Sequence, residues 1–74
     1  MSDNIARSLL AIAAKVAEAD VPVDAAIGNW ELWDSLTHMR LMLLVEERLG
    51  RMLSPEEILA VGTLRDLRLI AQVN

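Results

Sequence analysis

Ser35 and His38 are the two side chains of this sequence whose types and spacing could support catalysis. They lie three residues apart, so on a helix they would share one face. A serine beside a histidine can act as the nucleophile and general base of a hydrolase. However, residues 33–37 lack the Gly-x-Ser-x-Gly elbow of α/β-hydrolases, and no oxyanion loop is visible. We therefore expect His38 to be an exposed helix histidine and keep a Ser35–His38 hydrolase only as a minor alternative.

Metal and disulfide chemistry have little support in the composition. His38 is the only histidine, and the chain has no cysteine. One histidine among scattered carboxylates is a poor metal site, and a chain without cysteine can form neither thiolate zinc sites nor a disulfide scaffold. We expect no metal, and the lack of cysteine fits a reducing, cytoplasmic location.

A second role for Ser35 follows from its place between a long loop and a helix. It could be a simple N-cap, with Asp34 or Ser35 accepting hydrogen bonds from helix amides. Alternatively, Ser35 could receive a phosphodiester, because a helix start offers unpaired amides and a positive dipole end to an attached anion. Such a serine needs no activation of its own if a separate enzyme performs the transfer. On the residues alone the helix cap is the favoured interpretation, because a three-residue string such as Asp-Ser-Leu often occurs by chance.

The elements that position these residues must come from a small, aliphatic chain. Its 74 residues predict a single domain, residues 1–74, in which hydrophobic residues make up 54% and aromatic residues 3%. This composition excludes disorder, and because Leu, Met and Ala are good helix formers it favours an all-α bundle.

The charge and the apolar runs limit the partners. Seven basic residues against eleven acidic ones give a net charge of −4, which disfavours nucleic acid and suits basic surfaces on other proteins. The longest apolar run, Leu9 to Ala14, is far shorter than the ~20 residues that cross a bilayer. We therefore expect no nucleic acid and no membrane as partners, and a mature N-terminus.

Apolar spacing predicts a first helix from Asp3 to Ala19, ended by Pro22. Its predicted buried face consists of Ile5, Leu9, Ile12, Val16 and Ala19. Residues 20–34 have no helical period and predict a long loop. The apolar residues expected to anchor this loop are Val21, Val23, Ile27, Trp30 and Leu32. Trp33 fits loop anchoring as well as it fits shielding of an attached group or contact with a partner protein.

A second helix is predicted over Ser35–Leu49, because Gly50 sits where a C-terminal cap belongs. Its apolar residues cover a broad face, as expected for a central helix that packs on several neighbours. The predicted buried face consists of Leu36, Met39, Leu43 and Leu49, widened by Leu41, Leu44 and Val45.

Two shorter helices are predicted towards the C-terminus. Ser54 and Glu57 form a capping box around Pro55, which begins a third helix that ends near Ala60 or Val61. A final helix begins at Thr63. Its predicted buried face consists of Leu64, Leu67, Ile70 and Ala71.

Taken in order, these segments resemble an acyl carrier protein, of the broad family that also holds peptidyl and aminoacyl carrier proteins. The likeness covers nearly the whole chain. The segments that carry it are Asp34-Ser35-Leu36, Leu41 to Val45, Glu46-Glu47-Arg48-Leu49-Gly50, Ser54-Pro55-Glu56-Glu57 and Val61-Gly62-Thr63-Leu64. The Asp-Ser-Leu tripeptide after a long loop, followed by this order of helices, is its most specific part.

The resemblance implies a four-helix acyl-carrier-like bundle with 4′-phosphopantetheine esterified to Ser35, beside Asp34 and Leu36. The arm would carry an acyl or aminoacyl group as a thioester, so the reactive sulfur would belong to the cofactor. The implied partners of this non-catalytic monomer are a phosphopantetheinyl transferase, a loading ligase, and a downstream acyltransferase or synthase. The implied recognition surface on the second helix consists of Met39, Arg40, Leu43, Glu46 and Glu47.

Two departures from fatty-acid carriers favour a specialised biosynthetic role. Trp33 stands where a small residue is usual before the Asp-Ser-Leu motif, and Arg40 stands where an acidic residue is common. A positive charge on a normally acidic face changes partner choice. The alternative from another class is a small helical protein–protein interaction module, in which Ser35 is only a helix cap and the second helix forms a dimer.

Three methionines have two interpretations. Because methionine adapts to irregular shapes, the three could line a cavity for an acyl chain, or they could simply fill the core. We expect core filling for at least some of them. The three are Met39, Met42 and Met52.

Overall fold

The computed structural model of the protein describes residues 2–72, with side chains described over 5–72. Four α-helices follow one another along the chain, and a 3-10 turn, Glu18–Asp20, lies between the first two. They are α1 Ser2–Ala14, α2 Ser35–Leu49, α3 Pro55–Ala60 and α4 Leu64–Ile70. The only β-structure of the described residues is an isolated bridge between Ala26 and Thr63. The all-α prediction is therefore confirmed for this part of the chain.

Helix α1 ends at Ala14, so the predicted end at Ala19 is wrong. Lys15 takes a left-handed conformation with φ of 62°, and the Val16 amide donates a hydrogen bond to the Ala11 carbonyl at 3.0 Å. This closing geometry satisfies carbonyls of the last turn and stops the helix well before the proline. A glycine normally occupies the left-handed position, so the sequence carries no signal for this end.

The buried face of α1 is rotated from the predicted one. Ala6, Leu10 and Ala13 are fully buried, whereas Ile12 is 62% exposed. The small side chains of the two alanines line the face of α1 that packs against α2 and α4. Spacing favours the larger apolar residues, but Ile5 and Ile12 lie on the exposed flank of the helix. Ile5 and Ala19 are also exposed, and Leu9 and Val16 are half-buried.

The long loop between α1 and α2 is held by its own contacts. Asn29 Oδ1 accepts a hydrogen bond from the Ala26 amide at 2.9 Å, and the Ile27 amide donates to the Gly62 carbonyl at 2.9 Å. Trp30 packs against the core, as predicted. The prediction that Val23 anchors the loop is wrong, because its side chain lies in solvent. Of the remaining predicted anchors, Val21 is fully buried, while Ile27 and Leu32 are 39% and 42% exposed.

Helix α2 has the predicted bounds, and Leu41 and Val45 are buried as predicted, but the centre of the predicted face is not buried. Leu36, Met39 and Leu43 are 58%, 56% and 58% exposed. The core side consists of Thr37, His38, Leu41, Met42 and Val45. Leu44 and Leu49 are half-buried against the core. An apolar stripe of α2 is therefore left in solvent.

Helices α3 and α4 begin as predicted. The Ser54 hydroxyl accepts from the Glu57 amide at 3.1 Å, and the Glu57 carboxylate accepts from the Ser54 amide at 2.9 Å, which completes the capping box. Thr63 caps α4, whose Leu67 is fully buried, as is Ala71 just beyond it. Leu64 and Ile70 pack against the same core from half-buried positions.

Candidate functional site

Ser35 lies in solvent at the first residue of α2, and the capping of that helix is done by its neighbour. The Asp34 carboxylate accepts a hydrogen bond from the Thr37 amide at 2.9 Å. This bond lowers the pKa of Asp34 below its usual range, and the nearby charge of Arg40 lowers it further. Asp34 is therefore an ionised N-cap at neutral pH, and the Ser35 hydroxyl takes no part in the cap.

The start of α2 offers backbone donors beside Ser35. The Thr37 amide is used by the Asp34 side chain and the His38 amide by the Asp34 carbonyl at 2.8 Å. The amides of Ser35 and Leu36 precede the first intrahelical hydrogen bonds and have no acceptor within the helix. Because α2 runs for fifteen residues, its positive dipole end lies at this serine.

A half-open, mainly apolar groove of about 450 Å³ adjoins Ser35. It lies between the loop, α2 and α3. Its lining consists of Ile27, Trp33, Asp34, Ser35, His38, Met39, Ile58 and Leu59. Sequence spacing does not indicate that Ile27, Ile58 or Leu59 belongs to this site, because only the folded chain brings the loop and α3 against the start of α2.

His38 is buried, so the prediction of an exposed histidine is wrong. Its ring Nδ1 lies 3.0 Å from Trp33 Nε1, and its Nε2 lies 2.9 Å from the Ile58 carbonyl oxygen. An indole N–H can only donate, so Nδ1 accepts; the ring proton is then on Nε2, which donates to Ile58. Both nitrogens are thus used by the fold. Neither is left to take a proton from Ser35, which removes the geometric basis of the hydrolase alternative.

Trp33 and His38 form a second feature that sequence reasoning missed. Trp33 is 2% exposed and His38 is 9% exposed, and their rings stack at a centroid distance of 6.1 Å. We call these two residues the Trp33–His38 pair. It ties the end of the loop to α2 and, through Ile58, to α3. In the sequence, the only sign of this contact is that a tryptophan precedes a histidine by five residues across the start of a helix.

The residues predicted to meet partner enzymes lie mostly on one surface of α2. Met39, Leu43 and Glu47 are exposed, and Arg40 is half-buried. Glu46 has a contact within the fold, because its carboxylate accepts a hydrogen bond from the Leu53 amide at 2.8 Å. A second groove, of about 440 Å³, runs along the end of this surface. Its lining consists of Leu43, Glu46, Glu47, Gly50, Arg51 and Met52.

The three methionines do not line a common cavity. Met42 is 2% exposed in the core, whereas Met39 and Met52 lie largely in solvent. Core filling is thus confirmed for Met42. The other two join Leu36, Leu43 and Leu59 as large apolar side chains left exposed around α2 and α3.

Other site types find no geometric basis in the described residues. Over the described side chains, no three His, Cys, Asp or Glu residues group so that they could hold a metal ion. No helix between residues 2 and 72 is both long enough and apolar enough to cross a membrane.

A comparison with protein-family models finds no matching model, and comparisons with curated proteins and with solved structures find no match.

Proposed function

We propose that this chain is a carrier protein of the acyl, aminoacyl and peptidyl carrier type, with 4′-phosphopantetheine attached to Ser35. The observation that supports this most is that the capping residue of α2 and the proposed attachment residue are different residues. Asp34 caps the helix, and the Ser35 hydroxyl lies exposed beside it. The cap of α2 is Asp34 and not Ser35, which leaves the Ser35 hydroxyl without a capping role; the helical interaction module stays the alternative.

The residues around Ser35 fit a phosphodiester and an extended arm. The hydroxyl oxygen of Ser35 would attack the pyrophosphate of coenzyme A in a transferase, lose its proton and release the adenosine bisphosphate half. The amides of Ser35 and Leu36 at the positive end of α2 would stabilise the attached anion. The side chain of Met39 lines the groove that begins at the attachment point. When bound, the arm supplies a thiol that holds cargo as a thioester.

The exposed stripe of α2 fits repeated docking of different enzymes. Leu36, Met39 and Leu43 offer a small apolar patch, and Glu47 adds negative charge beside it. A patch of this size with a net charge of −4 on the chain favours weak, rapid association with basic surfaces. We infer that a phosphopantetheinyl transferase, a loading ligase and a downstream acyltransferase or synthase use this surface in turn.

Arg40 is expected to select among those partners. It lies on α2 between Met39 and Leu41, is only half-buried, and is close enough to Asp34 to lower the pKa of that carboxyl. We expect Arg40→Glu to change the transferase KM more than its kcat, with Arg65→Glu on the exposed face of α4 as the charge-matched control. Equal kinetics for both variants would remove Arg40 from the interface.

The direct test is modification of the purified chain. Incubation with coenzyme A and a promiscuous phosphopantetheinyl transferase should add the mass of one phosphopantetheinyl group. Ser35→Ala should abolish the gain, and Ser54→Ala, at another helix start, should keep it. A folded protein that gains no mass, and that sediments as a dimer, would instead support the interaction-module alternative.

A further inference from the structure

The groove beside Ser35 has an inner wall formed by the Trp33–His38 pair. Both side chains line the groove together with Ser35, yet both are almost fully buried. Hydrogen bonds of 3.0 Å and 2.9 Å run from Trp33 to His38 and from His38 to Ile58. The wall therefore connects the loop, α2 and α3 through directional bonds as well as through packing.

The helix face that carries this wall continues into filled core. Leu41 and Met42 follow His38 by three and four residues, so they lie on the same face of α2, one turn further along. They are 0% and 2% exposed. A chain that moved inward from Ser35 would therefore have to displace the pair first and tightly packed side chains next.

We infer, building on the proposed carrier function, that the Trp33–His38 pair closes the helix bundle to whatever Ser35 carries. The cargo is then a short acyl or aminoacyl group that stays at the surface, within reach of the groove of about 450 Å³. Entry of a long chain would leave the Trp33 indole N–H, His38 Nδ1 and the Ile58 carbonyl without partners in a dry interior, which is strongly unfavourable. Trp33 and His38 are thus specificity-determining residues that act by excluding cargo.

A series of cargo lengths tests this inference. The full chain is treated with a promiscuous transferase and the acetyl, hexanoyl or decanoyl thioester of coenzyme A, and each product is weighed. A chain that gains no mass from any of the three contradicts the proposed attachment at Ser35 itself. Once the chains are loaded, two readouts concern only the inference: the rate at which hydroxylamine cleaves the thioester, and the indole N–H resonance of Trp33. The Trp30 indole serves as the internal control.

We expect the three thioesters to be cleaved at equal rates and the Trp33 resonance to be the same in all three products. A decanoyl thioester cleaved about tenfold more slowly than the acetyl one, with a shifted Trp33 resonance, would overturn the inference. His38→Ala should open the wall and slow cleavage of the decanoyl thioester alone. Equal cleavage of all three thioesters in a folded His38→Ala variant would show that the pair is not the barrier. If that variant does not fold, Trp33→Phe, which removes only the indole donor and part of the ring, takes its place with the same outcomes.

Discussion

Replacement of Trp33 by phenylalanine tests the hydrogen-bonded Trp33–His38 pair at the start of α2. The change keeps an aromatic ring at a position that is 2% exposed, but it removes the donor to His38 Nδ1. The buried acceptor is then left without a partner, which costs about 1–3 kcal/mol. The smaller ring leaves a partial void that costs about 1 kcal/mol more. We therefore expect Trp33→Phe to lower the free energy of unfolding by about 2–4 kcal/mol.

That loss is large for a chain of this length. At about 0.05–0.15 kcal/mol per residue, 74 residues give a total free energy of unfolding of roughly 4–11 kcal/mol. Urea denaturation, followed by the circular dichroism signal of the helices, gives the difference in the free energy of unfolding directly. The control is Trp30→Phe, because Trp30 is only half-buried against the core and should cost about 1 kcal/mol or less.

A double-mutant cycle separates the hydrogen bond from the packing. With His38→Leu as the second change, the coupling free energy between positions 33 and 38 should be about 1–2 kcal/mol. A coupling near zero would refute the assignment of Nδ1 as the acceptor. A loss for Trp33→Phe no greater than that for Trp30→Phe would refute the structural role of the pair as a whole.

Three further predictions concern the fold. Leu67→Ala should lower the free energy of unfolding by about 2–5 kcal/mol in urea denaturation, because Leu67 is fully buried. Leu69→Ala, at a half-exposed position on the same helix, should lower it far less. Equal losses for the two variants would contradict the core assignment. Lys15→Gly should raise the urea midpoint of unfolding, because glycine adopts the left-handed conformation of Lys15 without strain. A lower midpoint would show that the backbone at Lys15 is not strained. Hydrogen bonds from the Arg51 guanidinium and the Ser54 amide lower the pKa of Glu57 from 4.5 to about 2, so the stability they add above the unfolded pKa is lost as pH falls towards 2. Arg51→Gln should reduce this acid-dependent loss in urea denaturation at different pH values, and an unchanged pH dependence would contradict the role of Arg51.

Helix boundaries were predictable where one or two residues carry the signal. Asp34 and Gly50 set the ends of α2 by a side-chain cap and a left-handed glycine with φ of 71°. The end of α1 depends on tertiary contacts instead. The Arg7 guanidinium donates to the Glu18 carbonyl at 3.2 Å and to the Val21 carbonyl at 2.9 Å, which holds the 3-10 turn against α1. Local sequence patterns do not report such contacts.

The buried faces were harder to predict because apolar residues surround much of α2. Spacing alone chose Leu36, Met39 and Leu43, but packing placed the side with His38 inward, where α3 supplies the Ile58 carbonyl as a partner. The choice thus depends on a contact between residues twenty positions apart. The resemblance, in contrast, places Met39 and Leu43 on a recognition surface, and both side chains are exposed.

The roles of the site residues stay predictions of different strength. The place of Ser35 followed from the loop and the helix start, and its exposure agrees with modification by another enzyme. The Glu46 carboxylate accepts a hydrogen bond from the Leu53 amide, so this residue has a structural role besides the predicted contact with partners. Glu47, one residue further along, has an exposed carboxylate and is the better candidate for contact with a basic partner surface.

The central claim is that Ser35 carries an arm that ends in a thiol. Because the chain contains no cysteine, any thiol in the purified protein must come from such an arm. Titration with a disulfide reagent after treatment with coenzyme A and transferase, followed by removal of small molecules, should find one thiol per chain in the wild type and none in Ser35→Ala. A folded wild-type chain that shows no thiol under these conditions would contradict the account.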